Sequence, residues 1–360
     1  MGQHLDTSLA NRFEQNPILN LEDIPPSVAG MKVECLLNPG VFEYNGKIGL
    51  LLRVAERPPQ QLNKTSFPVI DNNGNLEILE FDNNDPDLDL SDKRLVKYKG
   101  ITYLSTISHL RLVWSDDGIH FNEPSQSVII SGMGDMETFG IEDCRVAKIE
   151  DRYYLTYTQV SENGVGVGMM STDNWQDFKR HGMIIPPHNK DCALFEEKIN
   201  GLYYCMHRPS GVDLGGNFIW IASSPDLQHW GNHRCIARTR VGSWDSKRIG
   251  AGCSPIKTSA GWLAIYHGAN AANRYCLGAL LLDLEDPSKV IARSEDPIMT
   301  PEALYEIKGF FGEVVFTNGH RINGDELTVY YGAADEVICA AKFSIQQLLE
   351  SLIPQSPITL

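Results

Sequence analysis

Apolar and polar residues along this chain alternate with the period of β-strands and almost nowhere with the period of a helix. Six times a turn built on Gly, Asn or Asp leads into an aromatic or β-branched run, at residues 45–53, 99–104, 151–157, 200–207, 260–267 and 323–331. Each reads as the turn and second strand of a hairpin. The copies recur at roughly 50 to 60 residues, the size of a four-stranded propeller blade. A second element follows several of them, a short strand closing in a polar turn with an aromatic, at 114–121, 171–178 and 223–230. In such turns Ser and Asp side chains bond nearby backbone amides. The repeat predicts a radial β architecture over a single domain, residues 1–360. Only Ser344 to Leu352 reads as a helix, closing the C-terminus. Residues 60–91, rich in Asn and Asp, read as an insertion or flap near the site. A parallel βαβ fold is disfavoured because amphipathic helices between the strands are missing.

Composition narrows the function classes. Hydrophobic content of 42% and charged content of 21% describe a globular protein. A net charge of −15 argues against nucleic acid and anionic membranes as partners. No apolar run is long enough to span a bilayer, and residues 1–20 lack the basic start and apolar core of a signal peptide. The eight cysteines are scattered without a C-x-x-C pair, which predicts reduced, buried thiols and a cytoplasmic protein. The histidines do not recur at ligand spacings and no carboxylate loop resembles a calcium site, so no metal is expected. There is no G-x-S-x-G turn. The run Gly164-Val165-Gly166-Val167-Gly168 has the wrong spacing for a phosphate loop.

In a radial β fold the strand ends build the site, so the polar residues there are the candidates. They are Arg53, His109, Arg111, Asp143, Arg145, Lys190, Asp191, His207, Arg208, Trp244, Asp245, His267, Tyr275 and Asp335. Several are cations in an acidic chain. Cations that converge on one pocket imply a shared anion such as phosphate or a carboxylate. Read singly, each has a structural alternative: Arg53 as a partner of Glu56, His207 and His267 as hydrogen-bonded core residues, Asp335 as a turn cap. Glu142-Asp143-Cys144-Arg145 stands just before a buried strand. Neighbours in an extended segment point to opposite faces, so Glu142 and Asp143 are expected in different environments, one in a polar cavity. A carboxylate beside a guanidinium is a candidate acid catalyst and equally a structural ion pair.

The segments Leu36-Leu37-Asn38-Pro39-Gly40, Leu52-Arg53-Val54-Ala55-Glu56, Ile141-Glu142-Asp143-Cys144-Arg145, Asn189-Lys190-Asp191, His207-Arg208-Pro209, Tyr266-His267-Gly268 and Tyr330-Tyr331-Gly332-Ala333-Ala334-Asp335 together resemble glycoside hydrolase family 130, the β-mannoside phosphorylases and related mannosidases. The runs Ser105–Arg111 and Trp244-Asp245-Ser246 look most like its β-1,2-mannobiose and β-1,2-oligomannan phosphorylases. The resemblance implies a five-bladed β-propeller. It implies inverting attack of inorganic phosphate on a manno-oligosaccharide, giving α-mannose 1-phosphate, with no other cofactor. Asp143 resembles the general acid, which in some members acts through a sugar hydroxyl. Lys190, Arg208 and His267, with Arg53 close by, match the phosphate-holding positions. Asp335 matches a mannose contact, and Asn38 and Asp191 are further sugar contacts. Arg111, Asp245 and Tyr275 complete the substrate-binding candidates. The chain departs from the family at Cys144 and Glu196, where proline is usual; a looser loop behind Asp143 is expected.

The balance of charges fits this. An inverting hydrolase needs a second carboxylate to activate water, whereas phosphorolysis needs one acid and a cationic pocket opposite it. One carboxylate motif and several cations stand out. An Asp acid must be raised by burial or a neighbouring anion to act near neutral pH, and Arg145 must then point elsewhere, for instance at Glu142. A hydrolase on the same fold, a β-1,4-mannoside phosphorylase and a non-catalytic glycan-binding propeller are the alternatives. Linkage, chain length and any homo-oligomer are left open.

Overall fold

The computed structural model describes residues 9–355, apart from 72, 93 and 212–215. The segment read for a leader therefore lies partly outside the described residues. Five antiparallel sheets follow one another along the chain. Sheet I holds Lys32–Tyr44, Lys47–Arg57, Ile107–Ser115 and Ile129–Ile130. Sheet II holds Ile141–Ile149, Arg152–Ser161, Gly164–Thr172 and Lys179–Ile185. Sheet III holds Asn189–Leu194, Tyr203–Pro209, Ile219–Ser224 and Gly231–Ala237. Sheet IV is built on Arg248–Ala251, Gly261–Ala269, Tyr275–Leu282 and Val290–Arg293. Sheet V joins Val315–Asn323, Glu326–Ala333 and Val337–Ser344 to the N-terminal strand Asn11–Arg12.

Five of the six repeated turns supply one hairpin to each sheet. Asn45 and Gly46 both take positive φ, 51° and 76°, as a two-residue hairpin turn matched to strand twist requires. The sixth copy, 99–104, is a correction. Its strand Ile101–Leu104 belongs to a small three-stranded sheet with Leu88–Asp89 and Leu95–Tyr98. That sheet and the hairpin Lys64–Ile70/Leu76–Asp82 are inserted between the second and third strands of sheet I. The insertion is thus folded, and longer than the 60–91 read from composition. Aromatic packing anchors it: Phe67 lies 5.0 Å from Tyr103, which lies 5.7 Å from Phe139 just before sheet II.

The polar turns form as their side chains dictate. Ser115 Oγ accepts from the amides of Asp117 and Gly118, and Asp117 Oδ1 from those of Ile119 and His120. Thr172 with Asn174 and Ser224 with Asp226 repeat the arrangement.

Five of the core clusters among the described residues join one sheet to the next. Phe42, Leu51 and Leu110 of sheet I meet Ile141, Tyr153 and Leu155 of sheet II. Cys192, Leu194 and Cys205 of sheet III meet Ala147, Ile149 and Val167 of sheet II. Sheet III packs on IV through Met206, Ile219, Trp262 and Tyr266, and IV on V through Ile265, Leu277, Val329 and Tyr331. Sheet V returns to I through Tyr330, Ile338, Leu36 and Leu50. The C-terminal helix is Ile345–Glu350, capped by Ser344, whose side chain accepts from the Gln347 amide. Among the described residues no helix is long and apolar enough to cross a membrane. The eight cysteines are unpaired.

Candidate active site

The first strands of three sheets carry a register shift: Leu37/Gly40 in sheet I, Glu142/Arg145 in sheet II and Lys190/Ala193 in sheet III. A bulge re-aims side chains that plain alternation would send apart. Asp143 and Asp191 sit in these bulges with φ of 49° and 56°, and Asp335 follows its strand with φ 52°. Holding non-glycine residues there stores strain, which the surrounding ladders must overcome.

The bulges converge on a cavity of about 300 Å³. Nine of the eleven proposed site residues line it: Asn38, Arg53, Asp143, Lys190, Asp191, Arg208, His267, Tyr275 and Asp335. Glu142 lines it as well, against the expectation of separate environments. The left-handed backbone at Asp143 turns both carboxylates to one side, and Arg53 holds the pair. Its Nη2 donates to Glu142 Oε1 at 2.7 Å and its Nη1 to Asp143 Oδ1 at 3.1 Å. Asn38 Nδ2 donates to the same Asp143 oxygen at 3.1 Å, and Lys190 Nζ lies 3.8 Å from Glu142 Oε2.

Arg145 does not turn to Glu142. Buried, it donates to the Gly252, Ala251 and Asp143 carbonyls, and its Nη2 lies 3.3 Å from Asp191 Oδ1. Asp191 is a hub. Its Oδ2 lies 2.8 Å from Arg208 Nε, an ion pair, and 3.3 Å from His267 Nε2, both without hydrogen-bond alignment. A Cβ on Gly250 would come within 2.2 Å of this oxygen, so glycine there permits the cluster. Arg208 Nη1 and His267 Nδ1 are buried without a hydrogen-bond partner.

The charges set the protonation states. Burial pushes the Asp143 carboxyl up, but Arg53, Lys190 and Arg145 outweigh it and hold the group at about 2. Burial also opposes ionisation of Asp191, and Arg208, His267 and Arg145 bring it well below the usual carboxylate range. Burial lowers His267 to about 4 despite Asp191, so its imidazole is neutral. Asp335 goes the other way: burial, with Asp143 nearby, raises it to about 6 against the pull of Arg53.

Two candidates lie elsewhere. Arg111 follows Leu110, the residue opposite Arg53, and so points to the other face of sheet I. There it pairs with Glu123 and donates to the Pro25 carbonyl at 2.6 Å. Asp245 is fully buried in an ion-pair cluster with Arg240 at 2.8 Å and Arg293 at 2.6 Å, and accepts from Tyr266 Oη at 3.0 Å. His207 is buried between Asn189 and His233.

Sequence reasoning missed Arg94, Arg248 and the aromatics Phe310, Phe311 and Phe316, all on the cavity wall. Arg248 Nη1 donates to Tyr275 Oη at 3.0 Å, and Phe316 stacks on His267 at 4.1 Å. Arg94 and the Phe310–Phe311 pair stand in irregular segments with no period to flag them. Among the described residues no cluster of His, Cys, Asp or Glu is arranged to hold a metal.

A family model described as beta-1,4-mannooligosaccharide phosphorylase matches residues 86–353. The chain belongs to glycoside hydrolase family 130. It is 43% identical over 347 residues to a beta-1,2-mannobiose phosphorylase of Listeria innocua, covering 95% of this chain and 98% of that one. It is 41% identical over 249 residues to a 1,2-beta-oligomannan phosphorylase of Thermoanaerobacter sp., covering 68% of this chain and 82% of the relative. The solved Listeria innocua beta-1,2-mannobiose phosphorylase in complex with beta-1,2-mannobiose superposes with a TM-score of 0.92 at 42% identity, covering 95% and 98% of the two chains. The family 130 model starts at residue 86, so Asn38 and Arg53 precede its match.

Proposed function

We propose that this family 130 protein cleaves β-1,2-linked mannosides by inverting phosphorolysis, releasing α-D-mannose 1-phosphate. The observation that carries the reading is the placement of Lys190, Arg208, His267 and Arg53 around the Asp143 carboxylate in one cavity. The 43% identity to a beta-1,2-mannobiose phosphorylase supports the linkage.

Phosphate is held by Lys190, Arg208 and His267, and the unpartnered Arg208 Nη1 gives it a buried donor. Asp191 orients Arg208 and His267 rather than gripping sugar. One phosphate oxygen attacks the anomeric carbon. The glycosidic C–O bond breaks, its electron pair stays on the leaving oxygen, and that oxygen receives the proton of Asp143. In the free site Asp143 is ionised at neutral pH. The phosphate charge offsets Lys190 and Arg53 and the sugar excludes water, so the carboxyl takes up its proton when both substrates are bound. Asn38 and Asp335 hold the mannose at the cleaved bond.

Glu142 and Asp335 also line the cavity, which keeps a hydrolase as the second reading, with one of them activating water. Release of mannose 1-phosphate from β-1,2-mannobiose, measured across phosphate concentrations, decides between them. Equal turnover in phosphate-free buffer overturns phosphorolysis.

The five sheets are best taken as blades of a five-bladed propeller. The shared cores between successive sheets, and between V and I, support this, as does the pairing of the N-terminal strand Asn11–Arg12 with Val337–Ser344 in sheet V. Eight unpaired cysteines accord with the reducing cytoplasm.

A further inference from the structure

We propose that the protein carries a second ligand site, further along the same strands than the Asp143 cavity, where Glu196, Lys148 and His320 receive a neutral pyranose.

Each of the five sheets lends residues to two cavities, and the two sets do not overlap. In sheet I, Leu37 and Asn38 line the first cavity and Val41 and Glu43 the second. In sheet II the division falls between Asp143 and Val146, with Lys148 beyond it. Asp191 and Glu196 divide in the same way in sheet III and the segment after its first strand. Arg248 and Ser254 do so at sheet IV, and Phe316 and His320 in sheet V.

A buried polar layer lies between. Arg145 donates to the Asp143 carbonyl at 3.0 Å and to the Gly252 carbonyl at 2.8 Å, and Asn318 Nδ2 donates to the Asn38 carbonyl at 3.1 Å. A molecule in the second cavity therefore touches none of the groups assigned to phosphorolysis, and the two sites stand or fall separately.

The chemistry of the second cavity differs from that of the first. Arg321 pairs with Glu43, which leaves Lys148 and Glu196, both exposed. The Lys148 amide donates to Glu196 Oε1 at 2.7 Å. The backbone thus holds this carboxylate in place, and Oε2 is left to accept. The Lys148 ammonium lies 5.5 Å from the centre of the Tyr153 ring, and Tyr153 Oη donates to the Glu43 carbonyl at 2.5 Å. His320 Nδ1 is buried without a hydrogen-bond partner, which is rare for a polar atom in a folded chain. Burial lowers this imidazole to about 4, so at neutral pH it is uncharged and offers one donor and one acceptor.

One carboxylate beside one ammonium gives neither an anion nor a cation a net field, unlike the cations gathered around Asp143. A hydroxylated neutral molecule uses all of these groups. Its hydroxyls donate to Glu196 and accept from Lys148 and His320, while Val41, Val146 and Ile322 receive the C–H face. The cavity measures about 300 Å³, at the small end of ligand pockets, which suits one sugar.

The test is calorimetric titration of mannose and, separately, of inorganic phosphate into the wild type, Glu196→Gln, Lys148→Met and Asp335→Asn. Gln keeps the acceptor for the Lys148 amide and Met keeps the lysine stem, so both variants are expected to melt with the wild type and to phosphorolyse mannobiose with its kcat and KM. The wild type is expected to bind a second equivalent of mannose beyond the one that Asp335→Asn weakens. Glu196→Gln and Lys148→Met are expected to weaken that second equivalent by about tenfold or more, the scale of one charge-assisted hydrogen bond. A wild type with a single mannose equivalent, lost in Asp335→Asn, overturns the second site. So do Glu196 and Lys148 variants that bind mannose as the wild type does. Loss of a phosphate equivalent in those two variants, with mannose binding unchanged, overturns the neutral ligand. A wild type that fails to phosphorolyse mannobiose overturns the functional reading alone, since the mannose equivalent that depends on Glu196 is read without turnover.

Discussion

Arg53 Nη1 lies 3.1 Å from Asp143 Oδ1, and this contact ties the candidate acid to a cation of the same cavity. It makes the acid's charge state a property of the site's occupancy. With the cations unshared, Asp143 stays ionised; phosphate bound among them, as proposed, is expected to offset their pull. Replacing Asp143 with Asn is expected to lower phosphorolysis by about 10²–10⁴-fold, the usual contribution of a general acid, while mannobiose still protects the fold against heat. Steady-state rates and melting curves check both halves, and a variant of near wild-type rate removes Asp143 from the role.

Phosphate should stabilise the free protein. A ligand at a hundred times its Kd adds about 2.7 kcal/mol to stability, so the melting temperature should climb with phosphate. Arg208→Lys is expected to weaken this shift and raise the phosphate KM by about tenfold or more, since Lys cannot reproduce the planar fork. Arg208→Ala is the poorer probe, because it leaves the buried Asp191 short of a partner. Unchanged phosphate dependence in Arg208→Lys argues for a different anion site.

Gly250 tests the hub. A methyl group at this position collides with Asp191 Oδ2 and with the His267 ring, 2.6 Å away. Gly250→Ala is expected to act on phosphate KM before it acts on mannobiose KM, because the displaced groups are those behind Arg208. Equal effects on both substrates would contradict the division of the cavity.

Asp335 gives a pH signature. Its carboxyl moves from the ordinary 3.8 to about 6 on folding. A raised folded value means that its stability contribution is fully present below about 3.8 and is lost as pH rises through about 6. Asp335→Asn should therefore gain stability over the wild type between pH 5 and pH 8, on the order of 1–2 kcal/mol, while losing activity through the mannose contact. Thermal melts at the two pH values measure it, and a pH-independent difference counts against the raised carboxyl.

Asp245 should behave as structure. It is fully buried and paired with Arg240 and Arg293, and breaking a buried pair costs about 3–5 kcal/mol. Asp245→Asn is expected to melt earlier yet keep the wild-type KM for both substrates while folded. A raised mannobiose KM would return it to the site.

The hairpin period and the polar turns were legible because each is local: alternation, Asn-Gly chemistry and Ser or Asp side chains bonding amides two or three residues on. The same locality misled at 99–104, where a hairpin signal serves the insertion rather than a main sheet. Arg111 shows a second limit. A cation near a strand end is visible in sequence, but the face it takes depends on its phase against Arg53 across the ladder.

The sequence by itself determined an all-β chain, its hairpins, its C-terminal helix and the family of motifs that hold Asp143, Lys190, Arg208 and His267. Tertiary structure decided what those groups do to one another. Bulges at Asp143 and Asp191 overrode the two-residue alternation and brought Glu142 and Asp143 onto one guanidinium. Arg145 went to Asp191, and Arg94 crossed to Phe311. Strand period is written in neighbours along the chain, whereas charge pairing is set by distances between segments far apart in it, and only the packed sheets bring those within reach.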